Sequence, residues 1–553
     1  MSPAGAHLVA APILLPLATA ALMLTFGEAQ RRIKAWLNVL SCGLGLAVAA
    51  ALAWRADGGV AADAIGVYLP ANWEIPFGIV LAVDRLSAMM LVLVACLGLA
   101  AMLFSAARWD RAGVHFHALF QLQLMGLNGA FLTADLFNLF VFFEIMLAAS
   151  YGLLLHGSGR ARVRAGLHYI AVNLLASSFF LIGVSVLYGV TGTLNIADMA
   201  RKLPLVPHDD IALLHAGAAI LAVAFLAKAA VWPLNFWLAP AYTAAAAPVA
   251  ALFAVMTKVG VYVVLRLWTL FFPAPAQGIP PFGAELLVWG GLATLAAGAI
   301  GVAASHRLGQ LCAATVVTSS GTLLAAVGFA QAKLTAAALF YLLSSTLAVA
   351  ALFLLDELIE RARLAGVEPL HLDDGDEANR PFEEAAAAPQ GANLDDDERA
   401  VIGQAIPAAM AFLGTSFIAC ALLVAGLPPL SGFVAKFGML DALLDASRLP
   451  LPGWLLFALL IGSGFAAMIA LSRAGIRYFW APRERPAPKL RVIECLPVAA
   501  LLASCVALTV FAGPVLRYAR AAADSVLDPR DYVAAVMAAR PVPNPPRSGG
   551  DAQ

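Results

Sequence analysis

The sequence predicts an all-α polytopic membrane protein, and three observations carry that reading. Apolar runs of about 20 residues recur along most of the 553-residue chain, the length needed to cross a bilayer as a helix. Hydrophobic residues make up 62% and charged residues only 12%, about half the roughly 25% charged content of a soluble domain. Basic residues crowd into alternate short loops, the pattern that sets membrane orientation.

The runs divide into about fourteen spans, near 8–26, 33–54, 79–105, 115–134, 136–156, 165–190, 211–238, 248–273, 284–304, 308–329, 333–358, 402–425, 452–480 and 493–517. The stretches 240–247 and 429–445 read as second halves of interrupted helices. Spans from 115 to 273 form one set of five and those from 274 to 480 another. An odd number of helices per unit makes successive units antiparallel, so the expectation is two inverted five-helix repeats. A three-helix region, 1–114, precedes them, and 481–553 holds the last span and a tail. One set of alternate loops carries Arg31, Arg32, Lys34, Arg108, Arg111, Arg160, Arg162, Arg164, Arg307, Arg473, Arg477, Arg483, Arg485, Lys489 and Arg491, and the opposite set holds few basic residues. That set is expected in the cytoplasm, with both termini periplasmic. The acidic stretch 361–400 is expected to be a solvated cytoplasmic linker or, alternatively, a docking site for a partner subunit. A short amphipathic helix is expected over 524–540, and the Pro/Gly-rich tail from Pro541 is expected to be disordered.

Several function classes drop out. Zero formal net charge gives no electrostatic case for nucleic acid. The six cysteines include no CxxC pair, so they read as small buried hydrophobes, with no metal site expected. No nucleotide-binding, metalloprotease or nucleophile-elbow motif occurs, so no cofactor is expected.

The chemistry lies in charged residues within the apolar runs. Only seven lysines occur in the chain, and three of them, Lys228, Lys258 and Lys436, fall within or against predicted spans. A lysine at the centre of a span costs about 2.5–3.5 kcal/mol, which no purely structural helix requires. Snorkelling to the headgroups is the competing explanation. It suits Lys258, early in its span, better than Lys228, which has more than a dozen residues of span before it. Glu144 is the sole charge in the run from Leu136 to Ser150. A lone carboxylate in hydrocarbon takes up a proton, but beside a protonated lysine it stays ionised. Glu144 and Lys228 on adjacent helices would therefore form a coupled pair, each setting the other's proton affinity; a static buried ion pair is the alternative. Pro233 follows Lys228, and Pro428 and Pro429 precede Lys436. These prolines break helices at corresponding places in the two halves, a pattern that points to a transport site.

Three stretches carry a resemblance to a known family: Ala134-Asp-Leu-Phe-Asn-Leu-Phe-Val-Phe-Phe-Glu144, Phe225-Leu-Ala-Lys228-Ala-Ala-Val-Trp-Pro233 on to Lys258, and Gly426-Leu-Pro-Pro-Leu-Ser-Gly-Phe-Val-Ala-Lys436. They resemble the antiporter-like subunits shared by respiratory complex I and Mrp-type cation/proton antiporters. Lysine at 436 and the terminal Leu527-Asp-Pro-Arg-Asp-Tyr532 segment favour the D-type branch of the Mrp (Pha-type) multisubunit family. The resemblance implies a secondary transporter subunit, not an enzyme, of a Na+ or K+/H+ antiporter in the bacterial inner membrane, assembled with other membrane subunits. By resemblance, Glu144 is the ion-pair partner of Lys228, Lys258 the central relay and Lys436 the gate of the second half-channel. The alternative it leaves open is a proton-pumping membrane subunit of a complex I-like NADH-quinone oxidoreductase or membrane-bound hydrogenase. One helix departs from the family: Ser345 and Val349 stand where many relatives carry histidine and lysine, so this half-channel is expected to be less fully wired or to rely on water.

Overall fold

The computed structural model describes residues 7–58, 64–273, 282–364, 408–445, 449–480 and 490–542. Most of the acidic stretch 361–400, and the tail beyond 542, lie outside the described residues. In hydrocarbon each peptide group must find its hydrogen bond within its own segment, and so the apolar runs are helical. In chain order these are α1 (Ala11–Leu24), α2 (Arg31–Gly58), α3 (Arg85–Ser105), α4 (Phe116–Leu132), α5 (Leu136–Leu154) and α6 (Arg160–Thr191). There follow α7 (Ile196–Lys202), α8 (Ile211–Lys228), α9 (Leu238–Ala244), α10 (Ala247–Phe253), α11 (Met256–Phe271), α12 (Ala284–Ala304) and α13 (Leu308–Gly328). The remainder are α14 (Ala332–Leu364), α15 (Ala408–Ala425), α16 (Ser431–Leu444), α17 (Leu451–Gly475), α18 (Val492–Val510), α19 (Ala512–Leu527) and α20 (Arg530–Ala538).

Among the described residues, twelve helical stretches are long and apolar enough to cross a membrane. Of the fourteen expected spans, 8–26 and 115–134 fall on the shorter helices α1 and α4. The fold is not purely helical: Gly66–Tyr68 (β1) pairs antiparallel with Leu81–Val83 (β2), Gly66 opposite Val83. Strands of three residues are too short to leave a readable alternation. The helix expected over 524–540 is instead two, since α19 begins at Ala512 and runs to Leu527, and α20 follows a break at Asp528 and Pro529.

Side chains set several helix starts. The Asp84 carboxylate accepts the Ser87 N–H at 2.9 Å at the start of α3, and Asp135 accepts that of Asn138 at 2.8 Å at the start of α5. Each satisfies a backbone donor that the first turn leaves unpaired.

Enclosure differs sharply between helices. In the most apolar window of 247–271 every residue is buried, and α13 and α14 are nearly as enclosed, whereas α2, α6 and α18 bury little more than a quarter of theirs. The long helix α14 packs on α10, α13, α15, α16, α18 and α19 and so forms the spine of the second half. An inner group of helices is thus walled off from lipid by an outer one.

Candidate functional site

The expected span 211–238 stops early, because α8 ends at Lys228. Ala230 then adopts φ 58°, and the Val231 N–H donates to the Leu226 carbonyl at 3.0 Å. Helix α15 ends the same way: Gly426 has φ 78° and the Leu427 N–H donates to the Leu422 carbonyl at 2.9 Å. This is the Schellman termination, with a left-handed residue and a bond spanning five residues. Glycine takes that conformation freely; Ala230 takes it at the cost of about 1–2 kcal/mol. Pro233 lies in the turn after α8, and Pro428 and Pro429 lie between α15 and α16. Lys228 therefore ends the helix before its break, whereas Lys436 sits on the helix after its break.

All three lysines are buried: 3% of Lys228, 1% of Lys258 and 9% of Lys436 is exposed. Snorkelling is excluded, most clearly for Lys258. The apolar run 248–273 that seemed to place it at a membrane edge is broken at Ala254 and Val255, and α11 restarts just ahead of it inside the protein. Each amine donates to a neutral oxygen. Lys228 Nζ reaches Asn173 Oδ1 at 2.7 Å, and Lys258 Nζ reaches Ser320 Oγ at 3.4 Å. Lys436 Nζ reaches the Ala425 and Val424 carbonyls at 3.0 and 3.4 Å. Those two carbonyls belong to the last turn of α15, the negative end of its dipole. The Lys436 stem lies against Gly426, where a Cβ would come within 2.6 Å of its Cδ.

Glu144 is only half-buried and makes no direct ion pair with Lys228; it accepts a hydrogen bond from Ser177 Oγ. Helices α5 and α8 do touch, through Phe143 and Phe225 at 5.6 Å between ring centroids. Between the two charges stands α6, which presents Asn173 to Lys228 and Ser177 to Glu144. Four residues apart, these two side chains share a helix face. Lys228 and Glu144 thus each bond a neutral side chain of α6, without the direct ion pair that the resemblance implied. Asn173 and Ser177 had a readable signal in the sequence, polar residues one turn apart in an apolar run, but nothing there told which charges they served.

Gly260 sets the packing of α11, which carries Lys258, on the end of α8, which carries Lys228. A Cβ there would lie 2.7 Å from the Ala229 nitrogen and 2.9 Å from the Phe225 carbonyl, so only glycine lets α11 close on the end of α8. Gly260→Ala is expected to cost about 1–3 kcal/mol through overpacking and to slow proton movement by prising α11 from α8. Thermal unfolding and transport assays on the same preparation would check both.

A further buried charge pair went unrecognised in the sequence. Arg266 on α11 grips Asp84 through two bonds of 2.7 Å, and its guanidinium lies 4.8 Å from the Tyr532 ring centroid on α20. A lone arginine in the run from Val259 to Phe271 was the available signal; its partner lies 182 residues away.

The family described as "NADH:quinone oxidoreductase/Mrp antiporter, TM" matches residues 133–368, which include Glu144, Lys228 and Lys258. The chain is 52% identical over 550 residues to the D-type subunit of a probable K(+)/H(+) antiporter of Rhizobium meliloti (strain 1021), covering 98% of each. It is 30% identical to the D-type subunit of the Na(+)/H(+) antiporter of Alkalihalophilus pseudofirmus, covering 96% of this chain and 99% of that one. A chain in the structure of the Mrp complex from Dietzia sp. DQ12-45-1b superposes with a TM-score of 0.76 at 26% identity, over 97% of this chain and all of that one.

Proposed function

Since the chain belongs to the family of D-type antiporter subunits and Mrp-type membrane subunits, we propose that it is the proton-translocating subunit of a multisubunit monovalent cation/proton antiporter. It is a multi-pass membrane transporter subunit rather than an enzyme. The relatives are named for K+ and for Na+, and the 52% identity favours K+ as the exchanged cation. Its partners are other membrane subunits of the same complex. We place it in the inner membrane with both termini periplasmic, the orientation that the distribution of basic loops favours.

One observation carries the reading: three lysines enclosed among membrane-spanning helices, each held by a neutral oxygen and none, among the described residues, by a carboxylate. An ion pair locks a lysine in its charged form, because losing the proton strands the carboxylate. A neutral acceptor tolerates both forms, and so the amine can load and unload. Protons pass from Lys228 to Lys258 and on to Lys436, with Glu144 biasing Lys228 across the Asn173 and Ser177 bridge.

The test uses everted membrane vesicles carrying the whole complex and no other antiporter. Adding K+ or Na+ should collapse a preformed proton gradient, and the purified complex should lack flavin and iron–sulfur absorbance. Persistence of the gradient with both cations would refute the reading, and strong redox absorbance would favour the oxidoreductase assembly. Asn173→Asp probes the neutral-acceptor argument in the same vesicles. It should slow exchange about tenfold or more, the rate equivalent of one charge-assisted bond of about 1.5–3 kcal/mol, with the amount of assembled complex unchanged.

A further inference from the structure

The stretch between Lys258 and Lys436 contains a feature that the lysines alone do not explain. Lys258 on α11 donates to Ser320 on α13 at 3.4 Å. The neighbouring Ser319 bonds Ser345 on α14 at 3.0 Å between hydroxyl oxygens. Ser344, next to Ser345, bonds Ser431 at the start of α16 at 2.8 Å. Lys436 lies on that same helix. Three hydrogen bonds thus cross three successive helix interfaces, α11 to α13, α13 to α14 and α14 to α16. Ser319, Ser320, Ser344 and Ser431 are buried.

Many buried serines and threonines among the described residues bond back to their own helix, as Thr315, Thr322 and Thr346 do. That local bond is the ordinary way for a hydroxyl to satisfy itself within a membrane helix. The Ser319–Ser345 and Ser344–Ser431 pairs reach across interfaces, Ser345 also lying 3.5 Å from the Leu342 carbonyl of its own helix, and in both pairs either hydroxyl could be the donor. A hydroxyl carries one donor and two acceptor sites. It can accept a proton on one side while releasing its own on the other, ending neutral with its bond reversed. A backbone carbonyl cannot do this, and a side-chain amide does it poorly.

We propose that Ser320, Ser319, Ser345, Ser344 and Ser431 form a hydroxyl ladder that carries protons between Lys258 and Lys436. Within α13 and within α14 the step runs between sequence neighbours, which point in different directions around the helix, and it requires a bridging water. The step from Ser431 to Lys436 on the same helix requires bridging water too. No proton rests on the ladder: it is loaded at one lysine and discharged at the other, the bonds reversing in between and reorienting before the next passage. The proposal rests on the relay reading given above and adds its route through the second half.

The experiment compares Ser344→Ala, Ser431→Ala, the double variant and Ser344→Thr with Lys436→Ala, each in the whole complex in everted vesicles, scaled to assembled complex. Each alanine variant is expected to slow exchange about tenfold, the rate equivalent of one lost hydrogen bond. The double variant should be no slower than about the worse single, because either break interrupts the same path. Ser344→Thr, which keeps the hydroxyl, should retain most of the rate, and the solvent deuterium isotope effect should rise in the alanine variants. Native rates in both alanine variants would overturn the ladder, as would equal losses in Ser344→Thr and Ser344→Ala, which mark a steric effect. Should Lys436→Ala abolish exchange while the serine variants leave it intact, the ladder alone falls. Should Lys436→Ala also exchange normally, the relay reading falls with it.

Discussion

Replacing Lys228 with arginine is expected to stop cation-driven proton exchange while leaving the complex assembled. Arginine keeps the positive charge and can still donate to Asn173 Oδ1, which Lys228 reaches at 2.7 Å. It cannot give up its proton in a protein, so a structural role survives the change and a relay role does not. Lys228→Ala should fail for the complementary reason, since a proton crossing the gap has no amine on which to rest. Placing a charge in the membrane interior costs about 3 kcal/mol, and that increment in a barrier slows a step roughly a hundredfold. Both variants should thus fall to about a hundredth of the native initial rate of proton-gradient collapse, with native amounts of protein in the membrane. Arginine at 228 supporting ordinary exchange would remove Lys228 from the proton path.

The second large effect concerns stability. Arg266→Met is expected to destabilise the protein by about 3–5 kcal/mol, because it strands the buried Asp84 carboxylate that now receives two bonds of 2.7 Å. The same change removes the guanidinium from the Tyr532 ring and so loosens α20, whose contact with α7 closes that end of the bundle. Adding Asp84→Asn should restore most of the loss. The buried charge is then gone from both sides, and asparagine still caps α3 through the Ser87 N–H. Thermal unfolding of the purified complex, run as a double-mutant cycle, would check this; a double variant as unstable as the single one would show that the pairing is not the source. The pair bonds Ser87 and Tyr262 rather than any of the lysines or their acceptors, so residual exchange per folded complex should be near normal in the rescued variant.

How far the sequence could be read follows from which forces act locally. Membrane-spanning helices are dictated by composition over about 20 residues, and the spans were legible to within a few residues wherever a helix was continuous. The break at Pro428 and Pro429 before α16 was legible from its prolines, whereas breaks that carry no such signal were not. The interruption at Ala254 and Val255 involves no proline or glycine, and α8 ends in a left-handed alanine, Ala230. At the end of α8 tertiary packing takes over, through the close approach of Gly260 to Ala229.

The lysines and Glu144 stood out by themselves, since a charge in hydrocarbon is costly wherever it occurs, and that cost is written in the residue and its immediate neighbours. Their partners were another matter. Whether Lys228 meets a carboxylate or an amide, whether Ser344 bonds its own helix or Ser431, and whether Asp84 finds Arg266 depend on distances between helices far apart in sequence. Hydrogen bonds and ion pairs act over about 3 Å, while the pattern of apolar residues fixes only which segments are helices and how often they cross. The sequence by itself therefore determined that this chain crosses a membrane many times and carries ionisable groups within it. The tertiary structure alone decided that those groups are held by neutral oxygens, because only packed helices set the separations on which such short-range bonds depend.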